Sequence, residues 1–213
     1  MTEQARSVTL SVRNATFEDI PGILALDARV YKEMEGYSSG MIRGQITNYP
    51  DGQFVVEYDG EIVGYAASFR IDEATAMAPH SWSEITGGGY AARHDPMGDW
   101  LYGMDVCVDP NRRRLRIGQR LYDARRNLCE SEGLKGIVFG GRMPNWARRR
   151  KTYSDPMLYV EAVRDKKAID PTVNFHLKSG FEPADVLKNY LPEDKASAGY
   201  AIRMIWRNPY AQA

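Results

Sequence analysis

The chain has 213 residues, 43% hydrophobic and 26% charged, which excludes a charge-rich disordered segment and suffices for one well-buried core. Its 28 Lys and Arg balance 28 Asp and Glu, so any attraction to nucleic acid or an anionic membrane must come from a local patch. Cys107 and Cys129 give neither a metal-binding spacing nor a disulfide framework, and MTEQARSVTL lacks the charged start and apolar centre of a signal peptide. With no apolar run of membrane-spanning length, the expectation is one cytoplasmic domain over residues 1–213, with no metal and no membrane or nucleic-acid partner.

In chain order, VTLSVRNA (residues 8–15) predicts a strand with Leu10 and Val12 on one face. Thr16 is a predicted N-cap for a helix through Ile20, Ile23, Leu24 and Leu26. A short helix around residues 41–47 ends at Pro50, and FVVEYDGEIVGYAASFRI predicts a hairpin turning at Asp59-Gly60. Residues 71–100 show no clean period and read as a functional loop or a covering flap; Trp82, Tyr90, Trp100 and Tyr102 cluster around it, lining a pocket or closing the core. LYGMDVCVDP predicts a strand stopped by Pro110, followed by a helix with Ile117, Leu121, Ala124 and Leu128 on one face, ended by Gly133. Residues 134–139 predict a central strand, Asp155-Pro156 opens a helix through Tyr159, Val160 and Val163, and GYAIRMIW predicts a last strand alternating Ile202, Met204 and Trp206 against Arg203.

Between the strand and helix of that βαβ-like unit, VDPNRRRLRIGQRL carries Arg112, Arg113, Arg114, Arg116 and Arg120. The first amides of a helix lack intrahelical acceptors, and the helix dipole favours negative charge there. Gly118 lets a ligand approach the backbone, and guanidinium forks match phosphate oxygens, so the turn is a candidate phosphate site. The alternative is a solvated first turn. The run ARRRKTYSD at residues 147–155 is likewise a solvated loop or a contact for nucleic acid or an acidic partner.

VCVDPNRRRLRIGQRLYDARR resembles the acetyl-coenzyme A signature of the GNAT superfamily of N-acetyltransferases, an aliphatic strand ending in VxP followed by R/Q-x-x-G-x-G/A and a helix. On that motif Arg113 takes the first position, Arg116 replaces the middle glycine and Gly118 takes the last. SVRNATFEDIPGILALD, FVVEYDGEIVGYAASF and NFHLKSGFEP resemble the superfamily's first strand and helix, hairpin and late helix. More narrowly, WSEITGGGY, GDWLYGMDVCV, GIVFGGRMP and NYLPEDKASAGYA resemble the acetyltransferase domain that some bacterial proteins carry ahead of a carbon-nitrogen hydrolase (nitrilase-like) domain. The resemblance runs from about Val12 to Trp206; the hydrolase part is not in this sequence, which reads as a stand-alone relative or a fragment of a fusion.

The resemblance implies an α/β GNAT fold: a mixed, mainly antiparallel sheet with a splayed parallel strand pair and helices on both faces. It implies acetyl transfer from acetyl-coenzyme A to an amine by direct attack in a ternary complex, with Val106, Cys107 and Val108 pairing with the pantetheine arm. Arg113, Arg114, Leu115, Arg116, Ile117, Gly118, Gln119 and Arg120 would hold the pyrophosphate.

Three candidates for proton transfer follow. His176 stands where the superfamily often has a general-acid tyrosine, and an imidazole near its usual pKa of about 6.5 would serve, the alternative being a structural helix histidine. Tyr102 stands where some relatives place a glutamate base. Asp105 falls on the opposite strand face from Tyr102 and Val106 unless a bulge intervenes, and is a functional or a structural carboxylate. Residues 142–170 form an extra segment expected to roof the acceptor side, with the acceptor pocket in residues 71–100 and 142–170. Cys107 reads as a small apolar residue rather than a nucleophile. A non-catalytic acyl-coenzyme A sensor or docking module for a carbon-nitrogen hydrolase, and a nucleic-acid binder, stay open as alternatives. The acceptor and the oligomeric state, monomer or homodimer, are not readable from the sequence.

Overall fold

A computed structural model describes residues 10–32, 34–112 and 114–211. Strand β1 (Leu10–Asn14) keeps Leu10 and Val12 on its half-buried face; residues 8 and 9 of the predicted strand lie outside the described residues. Thr16 starts the next helix through a reciprocal cap, its amide donating to Asp19 Oδ2 at 2.8 Å. One 3₁₀ turn later comes α1 (Ile20–Val30), which buries Ile20, Ile23 and Leu26. Ser38 caps α2 (Ser39–Asn48) by accepting from the Met41 amide. Strands β2 (Gln53–Tyr58) and β3 (Glu61–Ile71) turn at Asp59 and Gly60, whose φ of 52° and 83° are the left-handed pair that such a tight hairpin needs.

The aperiodic segment after β3 contains two one-turn helices, α3 (Glu73–Met77) capped by Asp72 and α4 (Trp82–Thr86) in a capping box of Ser81 and Glu84. Then follow β4 (Trp100–Val108), α5 (Ile117–Ser131), β5 (Gly136–Arg142), α6 (Trp146–Arg149), α7 (Pro156–Arg164), α8 (Pro171–Lys178), β6 (Glu182–Leu187) and β7 (Ala201–Arg207). The seven strands form one sheet in the order β1-β2-β3-β4-β5-β7-β6. Every neighbouring pair is antiparallel except β4 and β5.

That parallel pair determines the site. It is registered only at Leu101–Ile137 and Tyr102–Val138, after which β4 continues to Val108 and β5 to Arg142 without pairing with each other. A second irregularity lies on the other edge of β4: Asp105 faces Ala67 and Gly103 faces Ser68, so Met104 is an extra residue, a β-bulge. One extra residue reverses the side-chain alternation, which brings Asp105 to the wall of the gap.

One expectation is corrected here. Arg203 of β7 is buried, its guanidinium donating to the carbonyls of Met77 and Ala78, because the segment after β3 covers the sheet face expected to meet water. Segment 142–170 packs α7 against α8 and β6. Asp170 ties it down by accepting from Tyr159 Oη at 3.0 Å and from the Asn145 amide, while capping α8 at Thr172 and Val173. Of that segment only Arg142 reaches the cavity between β4 and β5.

Candidate active site

Where β4 and β5 part, the sheet opens into a cavity of about 380 Å³. Its floor is Gly103 to Val106 of β4 and Phe139, Gly140 and Arg142 of β5. Helices α5 and α8 supply Tyr122, Arg125 and His176; the end of α1 and the chain after it supply the opposite wall, with Trp82, Tyr190 and Leu191. Of the two stretches expected to hold an acceptor pocket, residues 71–100 and 142–170, only Trp82 and Arg142 line this cavity, whereas residues 27–41 and 190–193 supply much of its wall. Trp100 and Tyr102 are fully buried in the core, Trp82 lines the cavity and Tyr90 is exposed.

Val106 lines the gap and Val108 is half-buried further along the strand. Cys107 between them points into the core beside Tyr65, where burial raises its thiol well above the ordinary range. It is neither exposed nor ionised enough to attack a substrate.

At the arginine turn, Arg114 and Arg116 have φ of 70° and 54°. Arg116 is the N-cap of α5 and holds the left-handed conformation that a glycine would adopt without cost, so the departure from the glycine motif leaves the backbone path intact. The amides of Ile117, Gly118 and Gln119 that follow are those a helix leaves without intrahelical acceptors. Arg113 lies outside the described residues. Arg112 is held away by Glu61 at 2.9 Å and lies over the Tyr58 ring, whereas Arg114, Arg116 and Arg120 are exposed. Gln119 donates to Asp123, Leu115 is half-buried, and Ile117 is buried against Val56 and Leu121. Gly118 meets Phe175 of α8: a Cβ there would lie 2.7 Å from the ring, so its small size serves helix packing in this structure rather than a ligand's approach.

Replacing Arg116 by glycine exchanges a left-handed strain of roughly 1–2 kcal/mol for a chain-entropy cost of roughly 0.5–1 kcal/mol. Arg116→Gly is therefore expected to melt at the wild-type temperature or about 2 °C above it. A melting point lower by several degrees in a calorimetric scan would contradict that account of the turn.

Asp105 accepts a 2.6 Å hydrogen bond from Tyr31 Oη through Oδ1, while Oδ2 has no hydrogen-bond partner among the described residues. Burial pushes its carboxyl up to about 6. Asp27 behind it is 3% exposed, accepts from the Tyr37 amide, and is also raised by burial.

Tyr102 does not line the cavity: its hydroxyl lies 2.9 Å from both His80 Nε2 and Tyr190 Oη, and only Tyr190 reaches the wall. His80 Nδ1 faces the carbonyl of Ala78 at 2.9 Å, so Nδ1 carries the proton and Nε2 accepts from Tyr102. His176 Nδ1 pairs with Tyr122 Oη at 2.7 Å. Burial, with the nearby Arg125 charge, depresses the imidazole to about 3, which corrects the expectation of an ordinary value: the ring is neutral at physiological pH.

The sequence reading passed over Arg125. It sits four residues after Leu121 on α5, whose expected face of Ile117, Leu121, Ala124 and Leu128 packs against one side of the sheet core while Tyr122, Arg125 and Cys129 widen the buried stripe. The guanidinium is 1% exposed and closes the bulge: Nε donates to Ser68 Oγ at 2.8 Å, and Nη2 to the carbonyls of Ala67 and Asp105. A cation on an otherwise apolar helix face was the legible signal. Arg142 is engaged by Asp194, with two bonds of 2.7 and 2.8 Å.

A sheet with a parted parallel pair and a helix N-terminus beside it is the arrangement of an acyl-coenzyme A transferase fold, and the comparisons agree. The sequence profile of the acetyltransferase (GNAT) family matches residues 23–153, and the chain belongs to that family. The probable hydrolase YhcX of Bacillus subtilis (strain 168) is 38% identical over 200 residues, 92% of this chain; the chain spans 38% of that protein's length. YkwB of the same organism, an uncharacterized N-acetyltransferase, is 30% identical over 206 residues, covering 94% of this chain and 90% of that protein. Among solved structures, the GphF GNAT-like decarboxylase in complex with isobutyryl-CoA superposes with a TM-score of 0.78 at 25% identity, over 93% of this chain and 99% of that one. No helix among the described residues is long and apolar enough to cross a membrane.

Proposed function

We propose that the protein transfers the acetyl group of acetyl-coenzyme A to an amine by direct attack in a ternary complex. The observation that carries this reading is the gap after Tyr102–Val138, which leaves the edge of β4 from Gly103 to Val108 without a strand partner beside the first turn of α5. An extended pantetheine arm has the hydrogen-bonding groups to pair with Val106 to Val108, and a diphosphate suits the amides of residues 117–119 with Arg114, Arg116 and Arg120 around them.

Amine attack needs the acceptor neutral, and Asp105 is the group suited to remove its proton. Its Oδ2 receives no hydrogen bond among the described residues, Tyr31 fixes its orientation through Oδ1, and a carboxyl near 6 is mostly ionised at neutral pH yet basic enough to accept. The amine's proton passes to Asp105, the nitrogen bonds to the thioester carbon, and the carbon–sulfur bond then breaks with its electrons on sulfur. Tyr102 acts at one remove, holding Tyr190 against the cavity.

The test is incubation with acetyl-coenzyme A and a panel of alkyl, arylalkyl, amino-acid and peptide amines, reading free thiol and acetylated product by mass spectrometry. Equal thiol and product with at least one class supports the reading; tight cofactor binding with no turnover on any class contradicts it. That second outcome is what the alternative predicts, a non-catalytic acyl-coenzyme A module docked on a carbon-nitrogen hydrolase. The alternative is favoured by one observation, that the chain spans only 38% of the probable hydrolase it resembles.

A further inference from the structure

Arg125 does more than its three bonds account for. Its Nη1 makes no hydrogen bond among the described residues, and its other bonds go to a hydroxyl and two carbonyls, with the Asp105 carboxyl near enough to act on its charge but not bonded to it. A buried guanidinium nitrogen left without an acceptor is costly. Nη1 is directed at the gap: it lies 3.1 Å from where a Cβ on Gly103 would stand, and Gly103 is the first residue of β4 past its last pairing with β5. Both residues line the cavity.

The other charged groups on that wall do not do this work. Arg142 is held by Asp194, and His176 is a neutral ring bonded to Tyr122. Asp27, Glu35, Asp105 and Glu193 bear the wrong sign for an anion. The wall's tyrosine hydroxyls, Tyr31, Tyr37, Tyr122 and Tyr190, are all made weaker acids by burial, and three of them are already bonded, to Asp105, His176 and Tyr102, which favours stabilisation of the anion itself.

We propose that Arg125 Nη1 is the anion-binding donor of the gap and takes the coenzyme A thiolate as it leaves. This rests on the acyl-coenzyme A reading above. As the carbon–sulfur bond breaks, its electron pair stays on sulfur, the guanidinium keeps all its protons, and the thiolate collects a proton from water after release. Gly103 leaves room for this approach, and the bonds to Ser68, Ala67 and Asp105 hold the fork in place.

The experiment is an ultraviolet titration of the thiolate of coenzyme A bound to the intact protein, with desulfo-coenzyme A as the blank. Cys107 and Cys129 do not interfere, because burial holds the first well above the ordinary range and the second at about 12. The free value is taken from coenzyme A alone, titrated in the same buffer. Bound to the wild type, the thiol is expected roughly one unit or more lower. Gly103→Ala sets a methyl group 3.1 Å from Nη1 and 3.4 Å from Cζ, so the guanidinium must draw back from the gap, and the variant is expected to return the bound thiol to its free value while still binding desulfo-coenzyme A. A bound thiol at or above its free value in the wild type overturns the inference, and so does a lowered value that survives Gly103→Ala. Absence of any coenzyme A binding is a separate result, which removes the function proposed above along with it.

Discussion

Asp105→Asn is expected to cut kcat/KM by about 10²–10⁴-fold while making the protein more stable at neutral pH. Both effects come from one carboxyl. The amide keeps an oxygen for Tyr31 Oη but accepts no proton, so a base is lost with little change in packing. In the wild type, activity should rise with pH through about 6, because only the ionised carboxylate is a base. That limb should vanish from the residual activity of the variant.

The stability effect has the opposite sign. Burial raises the folded carboxyl from 3.8 to about 6, so between those values the folded protein binds more protons than the unfolded chain and stability falls as pH rises. Above about 6 the ionised group costs on the order of 3 kcal/mol. Asparagine removes that cost, and the variant should nearly match the wild type near pH 4 and melt roughly 6–12 °C higher at pH 7. Melting curves at the two pH values check this; a variant that melts lower at pH 7 would mean that Asp105 is a structural hydrogen-bonding residue.

Arg125→Met is expected to have the largest effect on stability. Methionine fills much of the volume but leaves Ser68 Oγ and the carbonyls of Ala67 and Asp105 buried without donors, at a cost of about 3–5 kcal/mol. A chain of this length should then melt roughly 10 °C lower. Arg125→Lys, which returns one or two of the donors, should recover part of the loss. A methionine variant as stable as wild type would show that the bulge at Met104 stands without its guanidinium.

The strand, turn and helix from Trp100 to Ser131 were legible because their signals are local: Pro110 stops the strand, Gly133 follows the helix, and the apolar spacing between them has the helical period. The hairpin at Asp59-Gly60 was legible for the same reason. The bulge was not. One extra residue leaves no mark on a strand whose residues are nearly all apolar, yet it decides which face Asp105 occupies.

His176 was found by its place in a motif, while its ionisation depends on a buried ring beside Arg125, a neighbour 51 residues away in the chain. Arg203 looked solvent-facing because strand alternation says nothing about what covers the second face of a sheet. The cavity walls failed for a related reason: residues 34–41 carry no period, residues 190–193 lie in a stretch legible only as a resemblance, and only the folded chain brings the two together.

Amide hydrogen exchange of the protein with and without acetyl-coenzyme A tests the parted strands most directly. Added thioester should slow exchange at Val106 to Val108 and in the first turn of α5, residues 117–119, and leave the β6–β7 edge unchanged. If the nucleotide binds and those amides exchange at their unliganded rates, the gap between β4 and β5 is not where it lies.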